Sequence, residues 1–405
     1  MLNNVELVNK KKLCCSCGLC ANYCKRNAIT YEIDQLGFYK PTINRINCSN
    51  CGVCLECCPG INDLKCYEHR EKFYYYGYSL DEEMRQNAAS GGIATELLCY
   101  LIENKIVDYV TCVSNRTSRE LPQQIVTNDI SAIRQMRQSK YCPVKWNDIV
   151  AKLDKIEGKI AIVALPCQIN SLKKYYSKRK HNIKFFISLM CNHTPSLFAA
   201  NYLSQAVNHS GELESIQYRG GGWPGFMKLT IAEKKFGSKQ EVKFPFRKAW
   251  AAGYGKYFKN LRCSVCNDPF AQNADIVFGD SYFLQDTDTI GNTFCIIRNE
   301  ELLDVLQKMK QGHVIALTKG PSIEIINKYY KVLFDREIDF TKKNSILHYL
   351  HRGIGSKNDL YKPTMKEVRR FLINHFFCTL GKYHFLWRLL AIRNKVKELI
   401  IKTSL

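Results

Sequence analysis

The sequence predicts a cysteine-rich α+β module, then a larger α/β body, then a helical, basic tail. Three observations carry this reading. Eleven of the 20 cysteines fall before residue 67. Beyond residue 72, short apolar runs of strand character alternate with helical periodicity. From Lys362 to Leu405, ten Lys and Arg stand against two Asp and Glu, a balance of +8 within a chain total of +22. The composition, 46% hydrophobic and 24% charged, is that of a globular protein and excludes wholesale disorder. The 405 residues suit two or three domains, with expected spans 1–68, 69–340 and 341–405.

The chain opens MLNNVELVNKKKLCC, with no apolar stretch ahead of a cleavage site, so no secretory signal is expected. There is no run of 18 apolar residues, so no membrane span is expected either. In a reducing cytoplasm, clustered cysteines point to metal rather than disulfides. Two runs share one spacing: Cys14-x2-Cys17-x2-Cys20-x3-Cys24 and Cys48-x2-Cys51-x2-Cys54-x3-Cys58. A cubane cluster needs thiolates from several directions. Three closely spaced cysteines wrap one cluster, and the fourth reaches across to the other. That logic assigns Cys14, Cys17, Cys20 and Cys58 to one cluster, and Cys48, Cys51, Cys54 and Cys24 to the second. Gly18 and Gly52 share an offset where backbone must approach closely. Ile29–Ile33 and residues 38–43 flank Gln35-Leu36-Gly37 as a hairpin. The segment resembles a bacterial dicluster ferredoxin holding two 4Fe–4S clusters. Pro59 follows Cys58 but Lys25 follows Cys24, so the two sites are expected to differ in solvation or potential. Zinc sites pair two C-x2-C knuckles across a longer loop, unlike these tight triple knuckles. Cys15 and Cys57 are spare on this register.

In the body, strands are expected at residues 73–80, 107–113, 159–164, 183–190, 227–232, 274–279, 294–297 and 314–317. Helices are expected at Ile93–Glu103, 168–176, 196–207, Glu300–Gln311 and 322–330. Ser90-Gly91-Gly92 at a helix start has the makings of an anion cradle, or of an ordinary turn and cap. Cys167 and Cys191 each follow a predicted buried strand, at the sheet edge where open α/β proteins build sites. Cys263-x2-Cys266 is a metal-type knuckle, and the four together could complete a four-thiolate site, whereas Cys167 or Cys191 taken singly reads more readily as a buried apolar cysteine.

Several segments together resemble the family of coenzyme F-420 hydrogenase/dehydrogenase beta subunits, FAD-containing iron–sulfur reductases. They are Ala89–Leu98, Gln138-Ser139-Lys140-Tyr141, Leu165-Pro166-Cys167-Gln168, Cys191–Ser196, Cys263–Phe270 and Ala274–Asp280. The resemblance covers roughly residues 1–310, in family order. It implies an α/β flavin-binding body, FAD, and a third 4Fe–4S cluster on Cys167, Cys191, Cys263 and Cys266. By position, the flavin would draw on Ser90, Gly91, Gly92, Ser139, Lys140, Gln168 and Asp280. Family members often have Cys-His-Gly where this chain has Cys191-Asn192-His193. The stretch Tyr218–Gly225 carries the family's Arg and Trp-x-Gly elements, with three glycines that suit a loop over the flavin or an irregular turn between strands.

The function expected is an iron–sulfur flavoprotein oxidoreductase. Clusters pass single electrons, and a flavin converts them to two-electron exchange with an organic substrate or coenzyme. Ferredoxin or another carrier is the expected electron donor. His193, Tyr141 and Lys140 are candidates for proton delivery; His193 is one because imidazole can titrate near neutral pH, although a surface or structural histidine is the more ordinary reading of it. The competing reading is an electron-transfer subunit of a larger complex, without its own organic substrate. Basic residues are dispersed and no RNA motif appears, so nucleic acid is not an expected partner. Residues 371–401 interleave apolar and basic side chains as one or two amphipathic helices. These either pack on the body or lie on an anionic membrane surface. The expected location is cytoplasmic, with a peripheral place at the inner membrane face if the tail binds lipid. Some family members serve cell-surface polysaccharide pathways, which would suit such a location.

Overall fold

Runs such as IAIVA and IKFFISL are apolar on both faces and form strands that must be covered on both sides. The computed structural model describes residues 3–62, 72–117, 120–146, 148–233, 238–354 and 361–401. Cys66 and the expected boundary at 68/69 lie outside the described residues. The chain is a mixed α/β protein with thirteen strands among the described residues. β1 (Ile29–Ile33) and β2 (Tyr39–Ile43) form the expected antiparallel hairpin, Ile29 opposite Ile43. The body then contributes β3 (Phe73–Ser79), β4 (Tyr109–Val113), β5 (Gln124–Thr127), β6 (Ile160–Ala164) and β7 (Ile183–Leu189). It continues with β8 (Glu212–Gln217), β9 (Phe226–Ala232), β10 (Lys239–Pro245), β11 (Ile276–Asp280), β12 (Thr293–Ile297) and β13 (Ile315–Lys319).

Eight strands make one sheet in the order β13-β3-β12-β11-β7-β6-β4-β5. The central four, β11, β7, β6 and β4, are parallel, and antiparallel strands close both sides. Side chains alternate across this sheet. Ile160, Ile162 and Val277 join Ile169, Leu172 and Tyr175 of the helix Pro166–Tyr176. Ala161, Ile276 and Phe278 join Leu97 and Leu101 of the helix Ile93–Glu103, and Leu302 and Leu306 of the helix Glu300–Gln311. Asn299 caps that last helix by accepting from Leu302 N at 3.1 Å. β8, β9 and β10 form a separate antiparallel sheet. The sequence reading found only β9 of these, because Glu212–Gln217 and Lys239–Pro245 are largely polar strands with one wet face.

The three sequence segments do not keep separate cores. Val5 and Val8 of the module pack with Ile346, Leu347 and Phe371 from the helices Arg336–Tyr349 and Met365–Thr379. Lys11 Nζ donates to Gly353 O at 2.8 Å, and Arg352 Nε returns a bond to Lys11 O at 2.7 Å. Farther along, Trp387, Leu390 and Ala391 of the helix Trp387–Arg393 join the core beneath the small sheet.

Candidate functional site

Because β6, β7 and β11 run parallel, their carboxyl ends share one edge of the sheet. Cys167 follows β6, Cys191 follows β7, and Asp280 ends β11. The fold thereby gathers residues that the sequence scatters over more than a hundred positions. Two thiol groups form on the module and a third at this edge.

Cys14, Cys17, Cys20 and Cys58 line one cavity, together with Cys15 and Cys54. The Cys58 thiol is pushed well up by burial, then by its neighbours Cys15, Cys20 and Cys14. Burial likewise pushes Cys14 up to about 12, opposed by the Ser16 N–H. Tyr31 Oη lies 3.0 Å from Cys20 Sγ and accepts from Ala21 N at 2.9 Å. The other four, Cys24, Cys48, Cys51 and Cys54, are neighbours, with Cys54 reaching in to line that cavity as well. Cys54 is raised by burial and by Cys51, Cys24 and Cys48, and Cys51 is exposed. Gly18 and Gly52 precede the short helices of each run with φ of 76° and 85°, a left-handed turn that a side chain would strain.

At the sheet edge, burial raises Cys191, with Cys263 and Cys266 as its next neighbours. Cys15 and Cys167 are neighbours, an interaction that lowers the Cys15 thiol against its burial and raises that of Cys167. Cys263 also faces Cys15 and is raised to about 11, chiefly by burial. The spare Cys15 therefore stands between the first module group and the edge group. Two buried arginines fix this arrangement, and sequence reasoning missed both. Arg262 donates from Nε to Gly60 O (2.8 Å), from Nη2 to Pro59 O (2.9 Å) and from Nη1 to Val265 O (2.7 Å). Arg336 donates to the carbonyls of Cys191, Asn192 and Cys263. Asn260 Nδ2 adds a bond to Cys14 O at 3.2 Å.

In donor type the thiol groups fit 4Fe–4S clusters. A cubane takes a thiolate at each of its iron corners, so its ligands surround a volume instead of a point.

Beside the edge lies a polar cage. Arg219, 1% exposed, donates to Tyr141 Oη (3.1 Å), Asp280 Oδ2 (3.3 Å) and the Ala89 carbonyl. Its guanidinium stacks over Phe246 at 4.4 Å. Burial works against the Arg219 charge, yet Asp280 and Tyr141 hold its pKa above the ordinary value. Burial raises the Tyr141 phenol, while Arg219 and Ser139 oppose it. Gly220, Gly221 and Gly222 follow with φ of 141°, 70° and 85°. A Cβ on Gly221 would lie 2.0 Å from the Phe226 ring. Arg219 Nε, Trp223 Nε1 and Ser281 Oγ are buried without a hydrogen-bond partner among the described residues. Orphaned donors of this kind leave hydrogen bonds open to a polar ligand.

The remaining expected residues have local tasks. Ser90 Oγ donates to Asn292 O, and Gly91 N to Thr293 Oγ1 at 2.9 Å. A Cβ on Gly91 would meet Gly77 O at 2.5 Å, so strand packing alone requires glycine there. Gly92, φ 86°, starts the helix Ile93–Glu103. Gln168 Oε1 accepts from Leu165 N at 2.8 Å, which caps its own helix. Lys140 Nζ donates to the carbonyls of Met136, Arg137 and Gln138 at 2.6, 2.9 and 3.2 Å. Burial lowers its pKa to about 7. The expectation that His193 titrates near neutrality is corrected. Burial, then Lys259 and Arg336, drive its pKa well below the ordinary value, and its ring sits 5.0 Å from Trp250.

Residues 74–151 match the family described as the N-terminal part of the coenzyme F420 hydrogenase/dehydrogenase beta subunit, and residues 157–322 match its C-terminal part. The chain is 25% identical over 383 residues to the coenzyme F420-dependent sulfite reductase of Methanocaldococcus jannaschii, covering 86% of this chain and 54% of that protein. It is 22% identical over 191 residues to the F subunit of the F(420)H(2) dehydrogenase of Methanosarcina mazei, covering 44% of this chain and 53% of that protein. The chain thus spans about half the length of each of these relatives. The fold is shared with a chain of the F420-reducing NiFe hydrogenase complex from Methanosarcina barkeri. That superposition has a TM-score of 0.51 and covers 73% of this chain and 99% of the other, at 17% identity.

Proposed function

The chain belongs to the family of coenzyme F420 hydrogenase/dehydrogenase beta subunits, and from that premise we propose that it is an electron-transfer oxidoreductase with three 4Fe–4S clusters and FAD. One observation carries the reading: Asn260 and Arg262, which adjoin Cys263, hydrogen-bond Cys14 O, Pro59 O and Gly60 O, so the module's inner thiol group adjoins the thiol group at the sheet edge. Three such groups in succession make a relay for single electrons. The inner module cluster would be held by Cys14, Cys17, Cys20 and Cys58, and the outer by Cys24, Cys48, Cys51 and Cys54. The edge cluster would be held by Cys167, Cys191, Cys263 and Cys266.

FAD, when bound, supplies the conversion between one-electron and two-electron steps. Arg219, Gly220–Gly222, Trp223 and Asp280 would hold it, beside Ser90–Gly92, Ser139, Lys140 and Gln168. Arg219 presents a fixed cation whose charge Asp280 sustains. Tyr141 keeps its proton on Oη, because burial raises the phenol, and so is placed to donate a hydrogen bond. Phe246 covers the guanidinium and helps exclude water from it. Burial keeps His193 neutral, so it carries no proton to deliver as an imidazolium. The organic partner would be a hydride-carrying coenzyme, with F420 the first to test because the relatives are named for it. Reduced thiols require a reducing compartment, and the cytoplasm supplies one.

A second reading, an electron-transfer subunit working only inside a larger assembly, is favoured by one relative being a dehydrogenase subunit and by the matched hydrogenase complex. An obligatory copurifying protein would select it. A polysaccharide pathway has no support among the relatives. The deciding experiment is anaerobic purification with iron and flavin quantitation. About twelve irons per chain and one extractable flavin are expected. A colourless, flavin-free protein after anaerobic reconstitution refutes the proposal.

A further inference from the structure

Eight of the nineteen exposed large apolar side chains among the described residues lie between residues 365 and 401. That is a tenth of the chain holding two fifths of such surface, too concentrated for the scattered exposure that ordinary surfaces show. The pattern follows the helices. In Met365–Thr379, Phe371 and Cys378 are buried, while Met365, Leu372 and Phe376 (81, 48 and 56% exposed) recur at i, i+7 and i+11 on the opposite side. Arg369 lies in the same stripe, with Lys366 and Arg370 flanking it, all three exposed. In the next helix, Trp387, Leu390 and Ala391 face the body, while Leu389 and Ile392 (63 and 65% exposed) face out between exposed Arg388 and Arg393. Phe385, 76% exposed, continues that side.

Acidic groups are nearly absent from this face. Glu398 is exposed and sits 3.7 Å from Lys395. Glu367 is held by Thr364, Tyr361 and Lys342. No helix among the described residues is long and apolar enough to cross a membrane. Aromatic and aliphatic side chains rimmed by Arg and Lys, on helices too short to span, are the design of a segment that lies in a lipid headgroup layer. We propose that the outer face of residues 365–397 docks the protein on an anionic membrane surface. The apolar stripes enter the headgroup boundary, and the arginines pair with lipid phosphates. A protein partner would be expected to offer acidic groups to this face and to bury the stripes in a shaped groove; a bilayer needs only the charge and the exposed apolar area that are present.

The test is flotation of the full-length holoprotein with vesicles of phosphatidylcholine alone or of equal parts phosphatidylcholine and phosphatidylglycerol, at low and high ionic strength. Flotation with the mixed vesicles, weakened by salt, is expected. Leu389→Asp/Ile392→Asp and Arg369→Glu/Arg370→Glu should each lower the bound fraction roughly tenfold or more. All four side chains are exposed, so folding is retained, and an unchanged iron content checks it. Failure of the wild type to float, equal flotation on phosphatidylcholine alone, or flotation unaffected by both variants overturns the proposal. Light scattering that finds a dimer dispersed by Leu389→Asp/Ile392→Asp, without flotation, also overturns it and assigns the face to a second copy.

Discussion

Arg262 sets the geometry between the module and the body, and its removal has a calculable cost. Two of its three hydrogen bonds cross to Pro59 O and Gly60 O at 2.9 and 2.8 Å, and the third holds Val265 O. The side chain is 8% exposed, so water cannot replace these bonds readily. Hydrogen bonds from a charged donor contribute about 1.5–3 kcal/mol each, so the crossing pair contributes roughly 3–6 kcal/mol. Methionine fills a similar volume but leaves the carbonyls unpaired. Arg262→Met is therefore expected to lose about 3–5 kcal/mol of stability. Arg262→Lys should fall between the two, since an ammonium lacks the fork that serves several carbonyls. The assay is anaerobic urea unfolding followed by visible absorbance, with chelator-driven iron release as the second readout. Iron should leave Arg262→Met faster, because Arg262 adjoins Cys263 and holds the carbonyls of Pro59 and Gly60 next to Cys58. Unfolding and iron release equal to wild type would show that the seam is held elsewhere, and the reasoning would fail.

On the proposed division of ligands, Cys58→Ala should remove about four of the twelve irons, those of the group completed by Cys14, Cys17 and Cys20. The spectrum of the group containing Cys24 should survive, and uniform loss from both would reject the crossover. Arg219→Gln should abolish retained flavin and destabilise the apoprotein by about 3 kcal/mol, because it removes a buried cation and leaves the half-buried Asp280 charge without its partner; flavin retained at wild-type occupancy would contradict the cage. Lys140 has its pKa lowered by burial from 10.5 to about 7. The unfolded chain then binds the extra proton between about pH 7 and 10.5, so this residue makes stability rise with pH across that window. Lys140→Met should flatten the slope in thermal melts between pH 7 and 10, and an unchanged slope would remove Lys140 from the account.

What the sequence made legible was whatever depends on short spacing. The two cysteine runs, the hairpin between them and the helices Ile93–Glu103 and Glu300–Gln311 were readable because period and offset alone specify them. The strands β6, β7 and β11 were readable because burial on both faces leaves a continuous apolar run. β5 is four residues long, and β8 and β10 are rich in polar side chains, so none carries that signal. The roles of Arg219, Arg262 and Arg336 were not readable. Each serves carbonyls far away in sequence, Arg262 across more than 200 positions to Pro59, and nothing local marks a surface-type residue as buried. The same holds for Cys15. On its own register it is spare, and only the approach of β6 makes it a neighbour of Cys167. Ser90-Gly91-Gly92 and Gln168 were read as ligand contacts, and the fold shows that packing and capping already employ most of their groups.

The tail resolves two expectations that the sequence set against each other. A helix packed on the body and a helix facing lipid were alternatives, yet the chain satisfies the first with one face and leaves the second face built for something else. Phe371 sits in the core that holds Val5 and Val8, and Trp387 donates from Nε1 to Gly381 O at 3.0 Å within the body's second core. Burying such side chains contributes about 3–5 kcal/mol each, judged by what large-to-small substitutions cost. Removing everything beyond Tyr361 would therefore strip the module of a core residue as well as the body of its cover. A truncation that failed to bind vesicles could be failing to fold. Only substitutions at Arg369, Arg370, Leu389 and Ile392, whose side chains leave both cores intact, separate the outer face from the inner one. The exposed stripes persist because the inner face already orders the helices, so a membrane would meet a surface whose conformational entropy the fold has already offset.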